Sequence, residues 1–216
     1  MPASDGNLRA RAPKYREGDL LVFAGADAAS RGIALATCSP WQLLKGHWFS
    51  HIAIVAKKPN SQLLLAFEST TFCKIPCAIT GKQAEGVQAH YPDGRVRTYA
   101  GRVWRLRLVW PLAVEGCRDA GGELSDFLMG EIAKPYDYEW AVLAGTRRLR
   151  LARSLNPRLD RLICSGLVMA ALQRIRVVDR DLNSSSYSPA RAVRDLTYWG
   201  TYQPIGAGGS ESVRLK

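Results

Sequence analysis

Cys164 occupies a position where a cysteine side chain could act as a nucleophile. Directly after it, over residues 167–175, apolar residues recur at helical spacing. The thiol therefore falls at or beside a helix N-terminus, where backbone N–H groups and the positive end of the helix dipole stabilise a thiolate. This pattern predicts covalent acyl chemistry at Cys164. The alternative is structural, because a single cysteine before an apolar helix often belongs to the core.

A nucleophilic cysteine needs a base, and the three histidines are His47, His51 and His90. His51 is the strongest candidate because it opens a strand predicted over 50–56. The turn residues 57–61 then predict a hairpin with a second strand over 62–69. If this turn is centred between residues 59 and 60, His51 faces Glu68 at a Cβ distance of about 5 Å, and the carboxylate can orient the imidazole. The alternative is an ordinary cross-strand ion pair.

Strands and helices are both needed to position these side chains. The alternation over 102–110 predicts a strand with tryptophans and leucines on the core face, and Arg105 and Arg107 on a solvated face. Ser39-Pro40 and Ser188-Pro189 are typical helix starts. From Thr70 to Ala100 the chain is punctuated by glycines and is predicted to form loops around one or two short strands. The predicted elements are strands at 20–23, 50–56, 62–69 and 102–110, and helices at 30–36, 41–45, 123–133, from 167 onward, and 189–196.

The composition favours an anionic partner. The 216 residues carry a formal net charge of +11, with a pI near 9.7. Six arginines between 147 and 161 lie just upstream of Cys164, and Arg147, Arg148, Arg150 and Arg153 could contact a membrane surface or a wall polymer. The alternative is a solvated basic face. No helix-turn-helix or RNA-binding signature accompanies them, so we expect no specific nucleic-acid binding.

The five cysteines are odd in number and scattered, which does not resemble a disulfide framework and suits a reducing compartment. Cys73 and Cys77 have the spacing of half a metal site. No second pair of cysteines or histidines completes it, so the sequence favours a structural role for both residues. We expect neither a metal nor a cofactor.

The ends of the chain differ from its middle in composition. Residues 1–16 are small, polar and basic and are predicted to form a flexible arm, residues 17–205 a single catalytic domain, and residues 206–216 a disordered tail. We recognise no secretory signal, and the longest apolar runs fall short of the ~20 residues that a membrane span requires. The sequence therefore predicts a cytoplasmic protein, or one delivered without a signal peptide.

Several short segments, in order and spacing, resemble one family. The chain is similar to the circularly permuted NlpC-type papain-like hydrolases, the YiiX-like group that neighbours the lecithin:retinol acyltransferase-like proteins. The resemblance spans Gly18 to Leu196, and two positions depart from it: Ile163 where an aromatic residue is expected, and Gly166 where a glutamate is expected. The segments that carry it are Gly18–Leu21, Ser50–Val55, Phe67–Ser69, Pro135–Tyr138, Cys164-Ser165 and Ser188-Pro189.

The resemblance implies an α+β, papain-like fold of the permuted NlpC type, in which a mostly antiparallel sheet packs against the helix that carries the nucleophile at its N-terminus. It implies that Cys164 is the nucleophile, His51 its general base, and Glu68 the residue that orients the imidazole. Asp19, Tyr138 and Ser165, which lie in the matching segments, are the expected substrate-binding residues.

The predicted function is that of a cysteine amidase or peptidase. It would act through a thioester acyl-enzyme on a cell-wall-type peptide or a similar small amide. One alternative is a lipid acyl-hydrolase or acyltransferase of the same fold. A second is a non-catalytic module that binds an anionic polymer, and such binding would weaken steeply with salt.

Overall fold

A six-stranded antiparallel sheet organises the protein. The structure is a computed structural model that describes residues 14–71, 74–109, 119–138 and 161–205. The strands run in the order β4-β3-β2-β1-β5-β6 across the sheet. They are β1 (Leu20–Gly25), β2 (His51–Lys57), β3 (Leu64–Thr70), β4 (Gly86–His90), β5 (Gly101–Leu108) and β6 (Tyr202–Pro204).

Helices surround this sheet, and the predicted α+β class is confirmed. The predicted cap of the second helix is confirmed as well, since the Ser39 hydroxyl accepts the N–H of Gln42 and Pro40 is the first helical residue. The helices are α1 (Ala28–Thr37), α2 (Pro40–Leu44), α3 (Pro92–Thr98), α4 (Ala120–Glu131), α5 (Cys164–Arg174) and α6 (Pro189–Tyr198), with a 3₁₀ helix at Ser184–Ser186.

The sheet is buried on both faces, because successive residues of a strand point to opposite sides. The larger core lies on the face that packs against α4 and α5, and the smaller core lies on the face under α3. The larger core includes Leu20, Val22, Ile52, Ile54, Leu65 and Phe67. The smaller core consists of Leu21, Phe23, Ala53, Val55, Ala66, Val96 and Val103.

The second core corrects the prediction of a solvated face on β5. Val103 is buried in this core. Arg107 pairs with the buried Asp19 through Nε and Oδ1 at 3.3 Å, and the guanidinium of Arg105 lies over the ring of Tyr15. Alternation along a strand predicts which side chains share a face. It does not predict what covers that face, and here the covering layer is protein.

The stretch between Thr70 and Ala100 is more regular than predicted. It contains the short strand β4, and it also contains helix α3, which the sequence pattern did not predict. At Gly86 the backbone is in the left-handed region with φ of 108°, and an added Cβ would lie 2.0 Å from the carbonyl oxygen of Lys134. This close approach lets the N–H of Val87 donate to the same oxygen at 2.9 Å and brings the segment 134–138 beside β4.

Several predictions lie outside the described residues. They concern residues 1–13 of the predicted arm, the tail 206–216, the arginines Arg147, Arg148, Arg150 and Arg153, and Cys73 and Cys117. Lys14 and Tyr15, at the end of the predicted arm, are described and both contact Asp93. Within the described ranges, no helix has the length and apolarity to cross a membrane.

Candidate active site

Cys164 is the first residue of α5, as predicted. Its side chain belongs to the larger core, and the residue is 5% exposed. The N-cap residue is Ile163, whose side chain makes no capping hydrogen bond. In contrast, Asp27, Ser39, Asp119 and Ser188 cap α1, α2, α4 and α6 through their side chains. The first turn behind the thiol therefore keeps backbone N–H groups that no capping side chain occupies.

His51 lies between Cys164 and Glu68. Its Nε2 is 2.5 Å from Oε2 of Glu68, and the imidazole lies close enough to the Cys164 side chain for the charge of that group to raise the pKa of His51. Because Nε2 is engaged by the carboxylate, Nδ1 is the nitrogen that remains for the thiol. Glu68 is fully buried, whereas the His51 side chain is 14% exposed. A thiol, an imidazole and a carboxylate thus lie next to one another in this order, with the imidazole hydrogen-bonded to the carboxylate.

The predicted strand register was wrong by two residues. Ile54 pairs with Phe67, and Val55 with Ala66. In this register the position opposite Glu68 is Ala53, and His51 contacts Glu68 on the diagonal. The predicted face was nevertheless right, because a shift of two residues preserves the side to which every side chain points. A diagonal pair lies within reach of long side chains, so the hydrogen bond forms despite the wrong register.

Cys164 and His51 belong to different faces of the sheet. His51 alternates with Ala53 and Val55 of the smaller core, whereas α5 packs on the larger core. The two side chains can meet because each is the first residue of its element, at the end of the sheet where β2 begins. The position of both residues at an element end is thus a geometric requirement of the site.

Arg95 holds the Glu68 carboxylate and was not among the site residues predicted from the sequence. Its Nε donates to Oε1 and its Nη2 donates to Oε2 at 3.0 Å. The guanidinium is buried between two rings, with its centre 5.0 Å from the ring centre of Phe23 and 5.1 Å from that of Tyr99. Arg95 lies on α3, and Pro92 at the start of that helix was the sequence signal that could have revealed it.

The charges in this chain shift the pKa values of both acidic and basic partners. Burial alone would lower the pKa of His51, but the charge of Cys164 together with the hydrogen bond and charge of Glu68 outweigh it and raise the pKa to about 9. Burial alone would raise the pKa of Glu68, but the hydrogen bond from His51 and the charge of Arg95 hold it well below its ordinary range. The arrangement favours an ionised carboxylate beside a protonated imidazole.

A second histidine lies on the other side of Glu68. His90 is fully buried, pairs with Ala66 across β3 and β4, and places Nε2 3.7 Å from Oε1 of Glu68. Burial lowers the pKa of His90, and the charge of Glu68 only partly opposes this effect. His90 therefore favours the neutral form, whereas His51 favours the protonated form.

A narrow pocket of about 30 Å³ reaches Cys164. Its walls include Ser50, which directly precedes β2, together with Ile33 and Thr37 from α1, and Tyr136. Burial, together with the charge of Cys164, raises the pKa of the Tyr136 hydroxyl, which therefore remains protonated. The backbone of residue 136 forms a parallel bridge with Leu162, which fixes the tyrosine beside the start of α5.

The three predicted substrate-binding residues lie in different surroundings. Ser165 lines the pocket, but its hydroxyl donates to the backbone oxygen of Tyr187 at 2.5 Å. Tyr138 is 51% exposed, and its hydroxyl donates to Glu85; its ring centre lies 5.2 Å from that of Tyr136.

The structure does not bring Asp19 to this site. Asp19 is fully buried and accepts hydrogen bonds from the Arg16 N–H and from Arg107. It precedes β1, and Phe23 is the residue of β1 that pairs with His51. Four residues of strand separate the two, or ~13 Å. Asp19 therefore anchors the strand and has no exposed oxygen to offer a substrate.

Two other described cysteines have different environments. Burial raises the pKa of Cys38, whose thiol donates to the backbone oxygen of His47. Cys77 is buried, and its sulfur accepts the N–H of Ala89 at 3.4 Å. Across the ranges that the structure describes, no group of three or more His, Cys, Asp or Glu side chains is arranged to hold a metal ion.

Comparisons with known proteins found likenesses among solved structures only. No protein-family profile matches the chain, and no curated protein matches it. Among solved structures, the crystal structure of the metalloprotein YiiX from Escherichia coli O157:H7 is similar, with 18% sequence identity and a TM-score of 0.45. The match covers 74% of this chain and 66% of that chain.

Proposed function

We propose that the protein is a papain-like cysteine hydrolase of the permuted NlpC type, with residues 17–205 as its catalytic domain. Cys164 is the nucleophile, His51 the general base, and Glu68 the residue that orients the imidazole. The observation that carries this proposal is the hydrogen bond between His51 and Glu68 beside the Cys164 thiol, with the thiol at an uncapped helix start. Covalent acyl transfer requires these three groups in this order.

The reaction consists of two displacements at one carbonyl carbon. The Cys164 thiol gives its proton to His51 as the sulfur attacks the carbonyl and a C–S bond forms. The C–N bond of the amide then breaks as protonated His51 gives this proton to the leaving amine. Water then attacks the thioester while His51 takes a proton from it. The C–S bond breaks, the carboxylic acid leaves, and the thiol returns to its starting state.

Backbone N–H groups at the start of α5 stabilise the oxyanion of each tetrahedral intermediate. The N–H of Cys164 is the first candidate, since it belongs to the first helical residue and has no partner within the helix. The dipole of α5 places its positive end at the same point. The helix dipole and the N–H donors are therefore oriented before the substrate arrives.

The substrate that we favour is a small amide, such as a cell-wall-type peptide. The pocket at Cys164 is narrow, about 30 Å³, which suits an extended backbone better than a bulky group. Ser165 lines this pocket, with its hydroxyl donating to the backbone oxygen of Tyr187, and the ring of Tyr138 lies 5.2 Å from that of Tyr136, another lining residue. Both are proposed substrate contacts.

A second candidate function is hydrolysis or transfer of a lipid acyl group. The observation that favours it is a group of exposed apolar side chains on α1 and α2, next to the pocket wall at Ile33. Trp41 is 73% exposed and Leu44 is 78% exposed. An acyl chain or a membrane surface could cover them.

Mass spectrometry tests the mechanism before the substrate is known. The protein is incubated with p-nitrophenyl acetate and, separately, with a mixture of cell-wall peptides. We expect a thioester adduct on Cys164 with the ester, and new amine and carboxylic acid termini with the peptides. In water enriched in ¹⁸O, the released acid should carry one labelled oxygen.

Two variants serve as the test and the control for this experiment. Cys164→Ala should abolish adduct and products, whereas Cys38→Ala, which changes another partly buried thiol, should retain both. Turnover that survives Cys164→Ala would overturn the covalent mechanism. Product formation from acyl lipids but not from peptides would select the second candidate function.

A further inference from the structure

A second and larger cavity lies at the same end of the sheet. This cleft has a volume of about 430 Å³ and is bounded by residues 24–26 at the end of β1, by Gly101 and Arg102 at the start of β5, and by Trp48 and Arg31. We call it the arginine cleft. The proposed chemistry at Cys164 does not use any of these residues.

The arginine cleft carries two positive charges that are not paired directly with acidic side chains of the described residues. Within the described part of the chain, neither Arg31 nor Arg102 forms an ion pair with an acidic side chain. Asp27, at the start of α1, engages both carboxylate oxygens with Ser30, at 2.8 and 2.7 Å. Two guanidinium groups therefore face one cavity without a bound carboxylate.

Arg102 is held in position on one side. Its Nη2 donates to the backbone oxygen of Gly46 at 2.6 Å, and its guanidinium lies 5.2 Å from the ring centre of Trp104. Nearby, burial and the charges of Lys45 and Arg102 lower the pKa of His47, so this histidine adds no charge of its own at neutral pH. An arginine that is fixed in this way binds an anion with less loss of side-chain freedom.

The arginine cleft and the pocket at Cys164 share a wall. The N–H of Gly25, which lines the cleft, donates to the hydroxyl of Ser50, which lines the pocket, at 3.2 Å. Helix α1 borders both cavities, with Arg31 on the cleft and Ile33 and Thr37 on the pocket. A molecule bound in one cavity therefore lies next to the other.

We propose that the arginine cleft binds an anionic group, a carboxylate or a phosphate, of the substrate whose carbonyl is attacked at Cys164. A guanidinium presents paired N–H donors that match the oxygens of both groups. Trp48 supplies an apolar wall for the adjoining part of the molecule. The link to Cys164 rests on the proposed function, whereas anion binding in the cleft does not.

Direct binding tests the cleft independently of catalysis. Cys164→Ser protein is titrated with inorganic phosphate and, separately, with N-acetylglutamate, and binding is followed by NMR shifts of the backbone amides of residues 24–26 and 101–102. We expect Arg31→Ala and Arg102→Ala each to weaken binding roughly tenfold. Arg180→Ala, which removes another exposed arginine, is the matched control.

Each outcome of the titration decides between the alternatives. Tighter binding of phosphate than of N-acetylglutamate would assign the cleft to a phosphate, and the reverse would assign it to a carboxylate. Equal affinity in Arg31→Ala, Arg102→Ala and Arg180→Ala would overturn the proposal. Arg31 is exposed and makes no ion pair with a described residue, so its variant keeps the test valid even if Arg102→Ala does not fold.

Alkylation of Cys164 tests the link between the two cavities. Iodoacetate carries a carboxylate and iodoacetamide does not, and both form a C–S bond at the thiol with loss of iodide. We expect Arg31→Ala and Arg102→Ala to lower the iodoacetate rate severalfold and to leave the iodoacetamide rate unchanged. Equal effects on both reagents would overturn the link. A Cys164 that reacts with neither reagent would contradict the proposed function, while the titration would still decide the cleft.

Discussion

Two buried carboxylates on the same face of the sheet invite comparison. Glu68 in β3 alternates with Ala66, and Asp19 before β1 alternates with Leu21 and Phe23. Both are fully buried and both pair with an arginine. The difference lies in the second partner. Asp19 accepts a backbone N–H, whereas Glu68 accepts from an imidazole that also contacts a thiol.

The comparison shows that a buried ion pair alone does not identify a functional site. The partners of Asp19 are an arginine and a backbone amide, which only donate hydrogen bonds. The chain from Glu68 contains two groups that exchange protons. A carboxylate in the first setting fixes the position of a strand, and a carboxylate in the second controls the protonation and orientation of its neighbour.

The two carboxylates should differ most when each is neutralised without changing the shape of its side chain. Glu68→Gln should lower turnover on the order of ten- to a thousandfold, because the amide can present an N–H where His51 needs an acceptor. Asp19→Asn should leave turnover within about twofold and lower stability instead. Steady-state kinetics and urea unfolding of both variants provide the measurement. A larger loss of turnover in Asp19→Asn would reverse the assignment.

The arginine partners of the two carboxylates should also differ in their effect on turnover. Arg95→Lys keeps the charge beside Glu68 but loses the two-point contact, so we expect kcat to fall about tenfold with KM nearly unchanged. Arg107→Lys beside Asp19 should change neither constant. The pH profile of kcat identifies the cause: misorientation of Glu68 should shift the profile in Arg95→Lys. An Arg95→Lys variant with reduced stability but an unchanged kcat and pH profile would show that Arg95 is only structural.

The smallest expected effect is a pH dependence of stability that only the Glu68 side should show. The pKa of His51 is raised from 6.5 to about 9, so the favourable pairing is fully present below pH 6.5 and is lost as pH rises toward 9. In a Cys164→Ala background only Glu68 supports this shift, and we expect the free energy of unfolding to fall by about 1 kcal/mol over that range.

The control for this pH effect is a double variant. Cys164→Ala with His51→Gln should lack the extra fall in stability, because glutamine does not titrate. Urea unfolding at pH 6, 7.5 and 9 measures both proteins. Identical slopes in the two would show that the Glu68–His51 pair makes no net contribution to stability in this range.

Local patterns in the sequence predicted the elements that carry the site. Helical periodicity predicted Cys164 at the start of α5, and alternation predicted His51 and Glu68 on one face. The register was wrong because the connection between Lys57 and Leu64, which pair with each other, is centred between residues 60 and 61, one residue later than predicted. This error did not change the predicted face of His51 and Glu68, since a shift of two residues keeps every side chain on the same side of the sheet.

Contacts between distant segments could not be predicted in this way. Arg95 is 27 residues from Glu68 in sequence, and only the packing of α3 on the sheet brings them together. Asp19 illustrates the opposite error. A matching segment suggested a substrate contact, but its burial and its distance along β1 from Phe23 follow from the sheet pairing, which the sequence pattern of one strand does not contain.

The uncapped start of α5 has a consequence for how this protein could be improved. Serine or aspartate at position 163 would cap the helix and contribute ~1 kcal/mol, but the buried Ile163 side chain would be lost, which costs at least as much. The cap would occupy the N–H of the third helical residue, Gly166, as the side-chain caps of α1, α2, α4 and α6 do in their own helices. A laboratory programme that selected only for heat resistance would therefore keep an apolar residue at position 163, so the first turn behind the thiol stays free of a capping side chain without any selection for turnover.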